Sequence, residues 1–117
     1  MLLVTRRRPA HEALLAALSG ATGGAGAEVA GDFGNPDDYL NVSGPQLWIE
    51  IEAPGHVEAA DLADAYPGLT LPEPDDEQCL WLSTASVPAG APPGSADVAR
   101  RVFSELADRY DGVAIEH

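Results

Sequence analysis

The sequence predicts a single α+β domain, in which a mixed or mostly antiparallel sheet carries about three helices packed mainly on one face. Three observations lead to this fold class. Short β-prone runs alternate with segments of helical periodicity. The length of 117 residues is typical of one domain, and an apolar fraction of 45% is enough for a core. The domain is therefore expected to span residues 1–117.

Six short runs predict strands. In chain order they lie at residues 2–5, 28–33, 39–42, 46–52, 79–85 and 113–115. The third and fourth are the most regular, because apolar and polar residues alternate on both sides of the turn sequence Ser43-Gly44-Pro45. This arrangement is typical of an antiparallel hairpin.

Three segments predict helices, at residues 10–19, 56–66 and 96–110. The first follows Pro9, which is well tolerated at a helix start, and is expected to end at Gly20. The second ends before Pro67-Gly68. The third has a clear apolar stripe, and Ser95 is its predicted N-cap. Segments rich in Gly or Pro predict the loops, at residues 20–27, 69–77 and 87–94.

The charge of the chain argues against two classes of partner. Six Arg, no Lys and nineteen Asp plus Glu give a formal net charge of −13, which opposes binding to nucleic acid or to an anionic membrane surface. No apolar run approaches the ~18 residues of a membrane span, and the basic-then-apolar order of a signal peptide is lacking. The single Cys79 cannot form an internal disulfide, which favours a reducing compartment. We therefore expect a cytoplasmic protein.

The acidic residues are concentrated in the middle of the sequence. Fifteen of them lie between Pro9 and Ala99, a stretch without any Lys or Arg. One interpretation is a solvated surface that keeps a small protein in solution. The other is a docking surface for a basic protein, since complementary charge accelerates association.

The fourth predicted strand favours the docking interpretation. Trp48, Glu50 and Glu52 share one face of it, and an aromatic side chain beside carboxylates is typical of an interface hot spot. Acidic residues of the second predicted helix would form the rim. The candidate binding residues are therefore Trp48, Glu50, Glu52, Glu58, Asp61 and Asp64. If helices cover this face, Trp48 is instead a core residue, and an uncovered face would also allow a homodimer.

The sequence gives little support for a catalytic site or for a cofactor-binding site. The glycine-rich segment at residues 20–27 follows a helix in a chain without Lys, so it does not fit a phosphate-binding loop. Cys79 has no predicted cationic neighbour that would activate it as a nucleophile. The histidines lack zinc-site spacing, and Asp75-Asp76-Glu77 lacks the spacing of a calcium loop. We therefore expect no cofactor and no metal site.

One enzymatic alternative remains open. His56, at the start of the second predicted helix, could join Glu50 and Glu52 in a carboxylate–imidazole cluster. Such a cluster would indicate a small enzyme or a ligand-binding protein. A pocket that brings the three side chains together would favour this alternative, whereas an exposed acidic face would favour the docking module.

The C-terminal part of the chain carries a family resemblance. The amphipathic segment Ala99-Arg100-Arg101-Val102-Phe103, the turn at Asp111-Gly112 and the short strand after it resemble the closing helix–strand unit of small actinobacterial proteins of unknown function. Some of those proteins are similar to immunity proteins of toxin systems. The resemblance implies a small α+β binding domain and no catalytic residue. The leading hypothesis from the sequence as a whole is a non-catalytic binding module, such as an immunity- or antitoxin-like neutraliser of a basic toxin.

Overall fold

An antiparallel sheet forms the centre of the fold. The computed structural model describes residues 1–24, 27–74 and 79–116, and within them six strands pair in the order β2-β3-β4-β5-β1-β6. The strands are β1 (Leu2–Thr5), β2 (Glu28–Ala30), β3 (Tyr39–Gly44), β4 (Leu47–Glu58), β5 (Cys79–Ser86) and β6 (Gly112–Ile115). The described helices are α1 (His11–Thr22), α2 (Ala59–Ala65) and α3 (Ser95–Arg109). The predicted α+β class is thereby confirmed.

Helices α1 and α3 cover one side of the sheet. Their apolar stripes pack on the inward residues of the central strands and form the main core. Its largest fully buried side chains include Phe33, Phe103, Leu3, Leu14, Leu40, Ile49, Ile51 and Leu106. The alternation of β4 explains the packing, because every second residue from Leu47 to Ile51 is buried while the residues between them are exposed.

The short helix α2 lies on the opposite side of the sheet. Leu62 of α2 packs with Val4 and Leu80 in a smaller cluster, which Val57 and Tyr66 extend. This cluster covers only part of the second side, at β1, β5, β6 and the last residues of β4. None of the helices in the described residues is long and apolar enough to cross a membrane.

The start of the second helix was predicted three residues too early. His56 to Glu58 continue β4 and pair with Trp81, Leu80 and Cys79 of β5, so strand pairing overrides the local helical pattern. Between Glu52 and Gly55 the pairing with β5 is irregular, as in a β-bulge. Pro54 lies at this irregularity, where proline is tolerated within a sheet.

Other boundaries also differ from the predictions. Helix α1 continues through Gly20 and ends at Thr22, and its C-cap residue Gly23 adopts the left-handed conformation with φ 67°. Strand β2 ends at Ala30, three residues before the predicted end. Ser95 is the first residue of α3 rather than its cap, and the N-cap residue is Gly94. Parts of the predicted loops at residues 20–27 and 69–77, including Asp75-Asp76-Glu77, lie outside the described residues.

Candidate functional site

The side of the sheet opposite α1 and α3 is open over β3 and the first half of β4. We call this surface the acidic–aromatic face. It consists of Tyr39, Asn41 and Ser43 on β3 and Trp48, Glu50 and Glu52 on β4. Tyr39 is 71% exposed and Trp48 is 36% exposed. Trp48 therefore lies on the surface of the sheet and not in the core.

The hairpin register sets the order of these side chains. Tyr39 stands opposite Glu52, and Asn41 stands opposite Glu50. Side chains directly opposite one another in an antiparallel pair lie about 5 Å apart at their Cβ atoms. One aromatic ring therefore lies beside each end of the carboxylate pair, since Trp48 precedes Glu50 by two residues on the same face.

Hydrogen bonds hold two of these side chains in place. The indole Nε1–H of Trp48 donates to Asn41 Oδ1 at 2.9 Å. The Thr84 hydroxyl of β5 donates to Glu52 Oε2 at 3.0 Å. The backbone N–H of Trp48 also donates to Ser95 Oγ at 3.1 Å, which connects this end of β4 to the start of α3. A side chain that is already ordered loses less conformational entropy when a partner binds.

The acidic–aromatic face carries uncompensated negative charge. Within the described residues, the arginine ion pairs join Arg7 to Asp111 at 3.4 Å and Arg100 to Asp97 and Glu116. None of them involves Glu50 or Glu52. Glu28 of the edge strand β2 is opposite Ser43 and adds a third carboxylate to this side of the sheet.

The shifted pKa values lie elsewhere, near the ends of β1 and β6. The hydrogen bond and the charge of Glu116 raise the pKa of Arg100 further above its ordinary value. Burial lowers the pKa of the Met1 ammonium, against the opposing attraction of Glu116, and this ammonium donates to the backbone oxygen of Ala85 at 3.0 Å.

The predicted rim residues fall on two sides of the sheet. Asp61 and Asp64 are exposed on α2, which packs on the same side as the acidic–aromatic face. Glu58 does not join them. Its neighbour Val57 faces the α2 cluster, so alternation along β4 directs Glu58 to the other side.

The proposed cluster of Glu50, Glu52 and His56 does not form. The irregularity after Glu52 shifts the alternation of β4 by one residue, so His56 faces the side opposite to both glutamates. There the His56 ring stacks on Trp81, with a centroid distance of 4.6 Å and an interplanar angle of 27°. The expectation of a shared site for these three residues is therefore wrong.

Three residues of the face were not identified from the sequence. Tyr39 and Asn41 were predicted to lie in a strand but not beside the glutamates, and Ser43 was predicted to lie in the turn. In the structure Ser43 and Gly44 belong to β3, because Gly44 pairs with Leu47 and leaves only Pro45 and Gln46 as the turn, so the predicted turn Ser43-Gly44-Pro45 did not give the register. A two-residue turn fixes the hairpin register, which then places Tyr39 beside Glu52.

Comparison with family models, curated proteins and solved structures gave no significant match. In the part of the chain that the structure describes, no three His, Cys, Asp or Glu side chains come together in a group that could hold a metal ion. The interpretation of the site therefore depends on its own geometry and charge.

Stability is expected to rise with salt concentration. The fifteen acidic residues between Pro9 and Ala99 repel one another without a Lys or Arg in that stretch. Salt screens this repulsion, since the Debye length falls from about 30 Å at 0.01 M to about 8 Å at 0.15 M. The melting temperature should therefore increase over this range of sodium chloride. A flat or falling melting temperature would show that the charges are neutralised locally.

Proposed function

We propose that this protein is a non-catalytic, acidic protein-binding module that docks a basic protein on its acidic–aromatic face. The observation that carries this proposal is an uncovered sheet face with exposed Tyr39 and Trp48 beside Glu50 and Glu52. Aromatic anchors supply apolar area that is buried on binding, and the carboxylates supply attraction and register.

The contacts of the face fit a docking role. Trp48 is oriented by Asn41 and Glu52 by Thr84, so both present a fixed geometry to a partner. The glutamates form no ion pair with an arginine among the described residues. Their charge is therefore available to a Lys or Arg of the partner. A net charge of −13 would add long-range steering toward a basic protein.

The mode of action that suits this surface is neutralisation by occlusion. A basic protein that acts on an anionic substrate would lose access to that substrate while its basic surface is covered. We further propose that the module is an immunity- or antitoxin-like neutraliser of such a basic protein. We place the complex in the cytoplasm, because a lone Cys79 suits a reducing compartment.

Neutralising the two glutamates should mainly slow association. In Glu50→Gln with Glu52→Gln, the rate of association with a partner recovered by affinity capture should fall by roughly tenfold at low salt. Its dependence on salt should also become flatter. Surface plasmon resonance at several sodium chloride concentrations measures both quantities.

The matched control changes the net charge equally on the other side of the sheet. Glu105→Gln with Asp108→Asn alters two exposed residues of α3 and should slow association much less. If both double variants slow association equally, only the net charge of the protein determines the association rate. The acidic–aromatic face would then not be the docking site.

A further inference from the structure

An open groove of about 620 Å³ lies at the end of the sheet where β1 begins and β5 and β6 end. Helix α3 borders it on one side, and Tyr66, the residue after α2, borders it on the other. Its lining residues include Leu2, Tyr66, Thr84, Ser86, Ala96 and Arg100. A volume of this size is within the range of small-molecule and side-chain sites, about 300–1,000 Å³.

The groove adjoins the acidic–aromatic face through β5. Thr84 lines the groove, stands opposite Glu52 and donates its hydroxyl hydrogen to that carboxylate. Ser86 also lines the groove and stands opposite Glu50. Leu2 of β1 is the neighbour of Thr84 on its other side. Two strand spacings of about 4.8 Å therefore separate the glutamates on β4 from the groove at β1.

The lining of the groove suits an apolar side chain. Val87, which is 40% exposed, and the exposed Ala96 present apolar surface to the groove. Arg100 is paired with both Asp97 and Glu116, so its charge is compensated within the protein. The groove thus combines apolar surface with polar groups beside a charged face, and anchoring side chains of protein partners are typically buried where apolar surface is bordered by polar groups.

We propose that one extended segment of the basic partner crosses β4, β5 and β1, with an Arg or Lys over Glu50 and Glu52 and a large apolar side chain in the groove. This inference rests on the proposed function. An extended chain advances about 3.3 Å per residue. Because the two subsites lie about 10 Å apart, the basic residue and the apolar residue of the bound segment should be two to four positions apart in its sequence.

A displayed library of random linear peptides supplies the probe. Peptides selected on the wild-type protein should combine a basic residue with a large apolar residue two to four positions away. Ala96→Trp should fill the groove from an exposed position of α3 and lower the affinity for these peptides at least tenfold. Ser104→Trp, at an exposed position of the same helix outside the groove, should change the affinity less than twofold.

The double variant Glu50→Gln with Glu52→Gln separates this inference from the proposed function. If it weakens binding while Ala96→Trp does not, the groove inference is overturned and the docking face remains. If neither has an effect, or if the selection yields no peptides of the expected pattern, the groove inference also fails. Circular dichroism checks folding, and Ser86→Trp on the other wall of the groove provides a second test if Ala96→Trp does not fold.

Discussion

Leu106→Ala is expected to lower the free energy of unfolding by about 2–5 kcal/mol. Leu106 is fully buried in α3, within the core that α1 and α3 form with the sheet. Its truncation removes buried methyl groups and leaves a cavity whose walls relax only partly. Equilibrium denaturation in urea measures the loss as a shift of the unfolding midpoint.

The control is a leucine on the outer surface. Leu15 in α1 is 41% exposed, and Leu15→Ala should change stability by less than about 1 kcal/mol. If Leu106→Ala lowers the free energy of unfolding no more than Leu15→Ala does, then α3 does not pack on the sheet through the apolar stripe that contains Leu106. The assignment of the helix-covered side, and with it the open side, would be wrong.

Trp48→Ala is expected to weaken partner binding by at least about 2 kcal/mol, or roughly thirtyfold, mainly through faster dissociation. The change removes an anchor that would become buried only in the complex. Trp48 is partly exposed, and its indole forms a hydrogen bond with the exposed Asn41. The free energy of unfolding should therefore fall by far less than the roughly 3–5 kcal/mol that the loss of a buried aromatic side chain costs. Surface plasmon resonance and thermal melting measure the two effects separately.

Trp81→Ala provides the matched comparison, since it removes the other tryptophan. Trp81 faces the opposite side of the sheet, where it stacks on His56 and lies 5.4 Å from the guanidinium carbon of Arg8. Partner affinity should therefore change less than twofold. An unfolded Trp48→Ala, together with unaltered binding by the Glu50/Glu52 double variant, would contradict the docking role and make this strand purely structural.

The hairpin of β3 and β4 shows how much of the fold was predictable. Strict alternation from Leu47 to Glu52 predicted the strand and the division of its residues between two faces, but left open whether the face of Trp48 is covered. The alternation could not show which elements cover each face. That depends on α1 and α3 packing together on one side, a long-range arrangement that local periodicity does not contain.

The error at His56 has a local physical cause. Residues 56–58 share a helical pattern with residues 59–66, yet they add three residue pairs to the ladder with β5. The irregularity between Glu52 and Gly55 allows β4 to pass Pro54 and reverses the alternation. Pairing with β5 sets this one-residue shift, and local sequence periodicity does not contain it. The sequence therefore did not show that His56 and the two glutamates lie on opposite sides of the sheet.

The most direct test of the docking face is a map of the residues that change when the partner binds. Titration of the ¹⁵N-labelled protein with the captured partner should shift the amide NMR signals of residues 39–43 and 48–52 most strongly. The amides on the outer surfaces of α1 and α3 should change little. The largest shifts on α1 and α3, with residues 39–43 and 48–52 unaffected, would contradict the assignment of the acidic–aromatic face as the docking surface.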